Sequence, residues 1–259
     1  MFYFFSSLSE TISNDLVSFQ SFSTSKKTKI DGAIERERRF LAEDLAGYES
    51  VHGEPMDKFL KEKGGEPIRA MVATTWRSGS TFLGDIMTAH PGTFYHYEPL
   101  LHYDIVQARS GPLAEDAVRT LKNLMHCNYT QLGESLNQIV VTNNVFLCLD
   151  RYLRYGKSHQ WLFSHTARLW SHCLADGPKF KQSYCWKPEF LNKFCPLFPF
   201  QSIKTVRLRL NLTRSLVEDP SLNVRILLLV RDPRGTMESR KHRVIIVWLQ
   251  TKILTNNNF

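Results

Sequence analysis

The sequence predicts an α/β fold with a central, mainly parallel sheet covered by helices on both faces. Three observations carry this. Short apolar, β-branched runs alternate with segments of helical period. Val224–Val230 is apolar almost throughout, the pattern of a strand buried on both faces. Two strand-to-helix turns concentrate polar residues at strand carboxyl ends, where open α/β sheets bind ligands. With 259 residues, 42% hydrophobic and 22% charged, the chain suits one sizeable globular domain and excludes a disordered one.

In order, residues 1–28 are Ser/Thr-rich without a sustained period and read as a poorly ordered leader. Residues 31–63 are charged, from Glu35-Arg36-Glu37-Arg38-Arg39 to Lys58, Lys61 and Lys63, and read as a solvated helix ended by Gly64-Gly65. Ile68–Thr75 follows as the first strand. Ser80–Ala89 has helical spacing of Phe82, Leu83, Ile86 and Met87, stopped at His90-Pro91-Gly92. Thr93–Tyr97 reads as a second strand. Residues 114–125 and 145–174 read as helices with a weak strand Ile139–Thr142 between them, and 184–200 as a packed irregular segment. Ser202–Leu210 reads as a strand and Leu212–Glu218 as a short helix. Val224–Val230 is the best buried strand, and a helix opens at Arg234. The organisation is thus leader and charged helix over 1–66, a principal domain over 67–243, and an atypical tail over 244–259.

The formal net charge of +8 fits either a solvated basic surface or attraction to a polyanion, whether nucleic acid, anionic nucleotide or acidic polysaccharide. The five cysteines (Cys127, Cys148, Cys173, Cys185, Cys195) form no C-x-x-C pair and no zinc-spaced cluster, so no structural metal is expected. Two sequons, at Asn128 and Asn211, are weak signs of a secretory compartment. No stretch approaches the roughly 20 apolar residues that span a bilayer, and the opening Met1–Phe5 lacks the flank of a signal peptide, so the chain as written reads as soluble.

The first polar turn is Thr74-Thr75-Trp76-Arg77-Ser78-Gly79-Ser80-Thr81-Phe82. Gly79 permits a tight loop, and backbone N–H groups, two hydroxyls and the positive end of the helix dipole can face one anion. Arg77 adds a planar fork suited to phosphate or sulfate oxygens. The alternative is a plain N-capped helix, with Ser80 capping and Arg77 a surface charge. The nucleotide loop G-x-x-x-x-G-K-[ST] is absent, which disfavours an ordinary ATPase or GTPase. The second turn, Leu229 to Arg240, delivers Arg231 to a strand end and sets Ser239 one to two turns into the next helix. That pair can clamp a second phosphate, or it can be an Asp-Pro helix start with solvent-facing arginines.

Together the loop T-x-x-R-S-G-S-T-F-L and the later L-L-L-V-R-D-P-R-x-x-x-x-S-R resemble the carbohydrate sulfotransferases, and most of all the group that sulfates position 6 of galactose or an N-acetylhexosamine. Phe94-Tyr95-His96-Tyr97-Glu98-Pro99-Leu100 also resembles that family's strand followed by Glu-Pro, and the likeness runs from Ile68 to Arg243. It implies a P-loop-like three-layer α/β fold and the donor 3′-phosphoadenosine 5′-phosphosulfate (PAPS), with no metal. By this resemblance Thr75, Trp76, Arg77, Ser78, Gly79, Ser80 and Thr81 hold the 5′-phosphosulfate, while Arg231 and Ser239 hold the 3′-phosphate. It also implies a glycan or proteoglycan acceptor and the Golgi lumen.

Sulfuryl transfer needs positioning, charge stabilisation and a base for the acceptor proton. Arg77 stabilises charge. Glu98 is the first candidate for the base, with a structural pair to a nearby arginine as the alternative; His102 is the second, with a structural or substrate-contacting role as the alternative. His96 reads as structural, and Trp76 either packs on the adenine or sugar or sits in the core.

The family continues well past the second turn, whereas residues 244–259 match nothing expected there. Exposed apolar surface, marginal stability and weak or absent catalysis are therefore expected of the chain as written. The competing readings are a non-catalytic nucleotide- or glycan-binding remnant and a small-molecule kinase with a divergent loop. Nucleic-acid binding stands last, because the basic residues lack aromatic interleaving.

Overall fold

A computed structural model describes residues 29–50, 52–103, 106–130 and 188–241. The expected leader 1–28, strand Ile139–Thr142, helix 145–174 and tail 244–259 lie outside the described residues.

Four strands form one parallel sheet: β1 (Ile68–Thr74), β2 (Thr93–Tyr97), β3 (Phe200–Thr205) and β4 (Val224–Leu229), in the order β2-β3-β1-β4. The register is level. Ile68 on β1 and Thr93 on β2 both face Phe200, and Thr74 faces Leu229, so all four carboxyl ends reach one edge. Among the described residues the α-helices are α1 (Lys29–Asp44), α2 (Ser80–Thr88), α3 (Gly111–Met125), α4 (Pro188–Phe194), α5 (Arg214–Val217) and α6 (233–241). This is the α/β architecture that the alternation of segments predicts.

The core lies against the sheet. On α3, Ala114, Ala117, Leu121, Leu124 and Met125 recur at three- and four-residue spacing and are buried. Ala117, Leu121, Leu124 and Met125 meet Met71 of β1, Ile203 of β3 and Leu216 of α5 in one cluster. Phe94 of β2 packs edge-on to Phe194 and Phe198, with ring centroids 5.7 and 5.3 Å apart. Arg69 is buried at the start of β1, and its guanidinium donates to Met125 O (3.1 Å) and Leu222 O (2.6 Å). A disulfide joins Cys127, just past α3, to Cys195, just past α4, across 68 residues. Closing a loop of that length removes about 4 kcal/mol of unfolded-chain entropy. On the other side, α2 lies close to β2: a Cβ at Gly84 would come within 2.2 Å of the Tyr95 hydroxyl.

Several elements differ from expectation. The charged segment is helical only to Asp44; Gly47, Gly53 and Pro55 break it into turns, two of them the short 3₁₀ helices Met56–Phe59 and Lys61–Lys63. Its helix is not wholly solvated, because Ala33 and Ile34 join the core. The segment 184–200 holds a regular helix, α4, where the phenylalanines take helical spacing. The third strand starts earlier and stops at Thr205, where the Thr205 hydroxyl accepts from Arg207 N (3.2 Å) and turns the chain. The largest correction concerns β4. Among the described residues it is an edge strand, with Leu227 45% and Leu228 55% exposed, and not the best buried one. Hydrophobic content cannot report strand order or cover; β1, β2 and β3 are the buried strands.

Candidate active site

The strand carboxyl ends open onto a cleft of about 900 Å³. Thr74 ends β1 and its hydroxyl donates to Leu229 O (2.6 Å), fixing the ends of β1 and β4 together. The chain then turns through two left-handed residues, Arg77 (φ 71°) and Gly79 (φ 91°). Glycine adopts this without strain, whereas a residue with a Cβ is disfavoured there by about 1–2 kcal/mol. Gly79 is the N-cap of α2 and supplies no side-chain cap, so Ser80 begins the helix rather than capping it. The uncapped start of α2 therefore faces the cleft through Gly79, Ser80 and Thr81. Trp76 and Phe82 line the same opening and are both exposed.

The second turn arrives beside the first. Asp232 starts α6: its carboxylate accepts from Arg234 N (2.8 Å) and pairs with the Arg234 guanidinium (2.6 Å), which holds its carboxyl below the usual carboxylate range. The Asp-Pro helix start is thus real, and it coexists with a link to the loop. Arg77 Nε donates to Ser239 Oγ (2.8 Å) across 162 residues of sequence, and the Arg231 guanidinium donates to Arg77 O (3.2 Å). Arg240 donates to Trp76 O (3.0 Å) and lies 5.9 Å from the Trp76 ring centroid. Among the described residues no carboxylate pairs with Arg77 or Arg231. Both line the cleft.

The opposite wall comes from β2 and β3. Glu98 follows β2 with φ 49° and is buried. Its carboxylate accepts from Lys204 Nζ (2.7 Å), the Arg207 guanidinium (2.9 Å) and Val206 N (3.3 Å). Lys204 Nζ also sits 4.2 Å from the Tyr97 ring centroid, and the Tyr97 and Thr81 hydroxyls are 3.4 Å apart. His102 lies in the 3₁₀ turn Leu101–Tyr103, but its side chain falls outside what the structure describes. His96 is buried, with Nε2 2.8 Å from the Tyr129 hydroxyl, and burial pushes its pKa down to about 3, as befits a neutral structural imidazole.

Of the predicted donor-binding residues, Trp76, Arg77, Gly79, Ser80, Thr81 and Arg231 line the cleft. Thr75, Ser78 and Ser239 do not: Thr75 is exposed beside it, the Ser78 side chain is buried, and Ser239 acts on Arg77. Comparison with known proteins finds similar sequences. The chain is 30% identical over 198 residues to carbohydrate sulfotransferase 5 of Mus musculus, covering 68% of this chain and 44% of the relative. It is 31% identical over 186 residues to carbohydrate sulfotransferase 1 of Homo sapiens, covering 66% of this chain and 44% of the relative. Carbohydrate sulfotransferase 4 of Mus musculus is 28% identical over 212 residues, 75% of this chain and 50% of that protein. The chain is a relative of the carbohydrate sulfotransferases.

It spans about half the length of the curated relatives it matches. No family model matches the chain, and no solved structure matches it. Among the described residues no group of three His, Cys, Asp or Glu side chains could hold a metal ion, and no helix is long and apolar enough to cross a membrane.

In this sulfotransferase relative, sequence reasoning missed Lys204, Arg207, Tyr97 and Arg240. Lys204 reads as the outward residue of a half-buried strand. In fact β3 is interior, so both its faces are covered and Lys204 is 3% exposed. The available signal was a lone lysine within the run Ser202-Ile203-Lys204-Thr205-Val206, which needs a partner if the strand is central.

Proposed function

We propose that this chain transfers a sulfuryl group from PAPS to a hydroxyl, the 6-hydroxyl of a galactose or N-acetylhexosamine residue, in a glycan or proteoglycan. One observation carries the reading. Two arginines without carboxylate partners among the described residues, Arg77 and Arg231, come from separate strand-to-helix turns and meet at the rim of one cleft. A donor with phosphate groups at both ends suits two cationic sites that face one cleft.

Arg77 and the uncapped start of α2 would hold the phosphosulfate, and Arg231 the 3′-phosphate, with Ser239 orienting Arg77. The acceptor oxygen forms its bond to sulfur as the bond from sulfur to the bridging phosphate oxygen breaks. The acceptor proton passes to Glu98, and the negative charge left on the departing phosphate faces Arg77 and the helix start. Trp76 offers an exposed ring for the adenine or a sugar. The disulfide suits an oxidising compartment, which supports the Golgi lumen.

A second reading is favoured by one feature. Glu98 already accepts from three donors, so its carboxylate is fully engaged within the wall, as in a nucleotide- or glycan-binding protein without turnover. Labelled-sulfate transfer from PAPS to galactose- and N-acetylglucosamine-terminated acceptors separates the two. Transfer by the wild type that vanishes in Arg77→Ala supports the enzyme. Calorimetric PAPS binding with no transfer to any glycan supports the second reading.

A further inference from the structure

We propose that Lys204, assisted by Arg207, is a positioning residue that clamps Glu98 in its working orientation on the cleft wall. The inference rests on the reading of Glu98 as the proton acceptor, and deepens it.

Glu98 has a left-handed backbone at the end of β2, a conformation a residue with a Cβ keeps only when its surroundings over-determine it. Three contacts do so. Glu98 N donates to Lys204 O (3.0 Å), Lys204 Nζ meets one carboxylate oxygen (2.7 Å), and the Arg207 guanidinium meets the other (2.9 Å). Each oxygen thus has its own cation, so rotation of the carboxylate would break both bonds together.

The clamp is also tied to the loop on the opposite wall. Lys204 packs its ammonium over the Tyr97 ring, and the Tyr97 hydroxyl lies within 3.4 Å of the Thr81 hydroxyl in the first turn of α2. Movement of the loop therefore bears on the setting of Glu98. Arg207 lies beyond the end of β3, where the Thr205 hydroxyl turns the chain back towards Glu98. Lys204 is the only lysine lining the cleft among the described residues, and the loop itself presents Arg77. Burial of Lys204 without Glu98 would leave an unpaired charge inside the wall, so the two act as a unit.

The test is a double-mutant cycle of Glu98→Gln and Lys204→Met, read as sulfate transfer from PAPS, with the folded fraction counted by calorimetric binding of 3′-phosphoadenosine 5′-phosphate. If Lys204 acts through Glu98, Lys204→Met lowers kcat by about a hundredfold or more while KM for PAPS moves less than about threefold. The double variant is then no slower than Glu98→Gln alone. Arg207→Leu, at a less buried position, gives a smaller fall in kcat in the same direction. An unchanged kcat in Lys204→Met, or equal losses with and without Glu98, would overturn the clamp and leave the role of Glu98 standing. Full turnover in Glu98→Gln, or no transfer by the wild-type chain, overturns the underlying reading and the clamp with it.

Discussion

The two walls of the cleft differ in how their charges are kept. On the β2–β3 wall, Glu98 is paired with both Lys204 and Arg207, and Glu98 and Lys204 are buried. On the β1–β4 wall, Arg231 is exposed and Arg77 is half-buried, and among the described residues both bond to neutral groups, with no carboxylate partner. A buried, paired group has a fixed geometry and offers little net charge to a ligand. An arginine bonded only to a hydroxyl or a backbone carbonyl retains its charge for an anion. The division suits a reaction in which one wall sets a proton acceptor and the other grips a polyanionic donor.

The contrast extends to the sheet that carries the walls. The β3 side is enclosed by α3, α4 and the disulfide, whereas β4 is an edge with exposed leucines. The strongest way to break the comparison is to open the enclosed side. Replacing both Cys127 and Cys195 by serine should lower stability by about 2–5 kcal/mol. Chemical denaturation under non-reducing conditions would show it as a lower midpoint.

A smaller effect comes from acid. His96 on β2 is neutral when folded because burial pushes its pKa down to about 3, while in the unfolded chain it titrates near 6.5. Below about pH 6.5 the unfolded state therefore binds the extra proton, so His96's contribution is complete above that pH and is lost as pH falls towards 3. The slope approaches about 1.4 kcal/mol per pH unit. Urea midpoints at pH 7 and pH 5 should reveal it, and His96→Gln should flatten the difference. The smallest effect belongs to the open side: Leu228→Gln, on the exposed edge, should change stability by less than about 0.5 kcal/mol. A large loss there would show that β4 is covered in solution.

Much of this is legible in the sequence. The Thr75–Thr81 loop, Glu98 and the Arg231 turn were readable because strand-to-helix turns concentrate polar residues at one sheet edge. The meeting of Arg77 and Ser239 was only implied, since nothing local joins residues so distant in sequence. Strand order was illegible. An apolar run such as Val224-Arg225-Ile226-Leu227-Leu228-Leu229 looks alike at the centre or the edge, so β4 was misplaced and Lys204 was overlooked. The alternative of a helix capped by Ser80 does not hold. Ser80 has the right chemistry, but the left-handed Gly79 takes the N-cap position and leaves the first amides open to the cleft.

The central claim is that two turns on different strands grip one donor. Calorimetric titration of 3′-phosphoadenosine 5′-phosphate into the wild type, Arg77→Ala and Arg231→Ala tests it most directly. The account predicts one site in the wild type, with affinity falling about tenfold or more in each variant as a charge-assisted bond is lost. Unchanged affinity in either variant would contradict it.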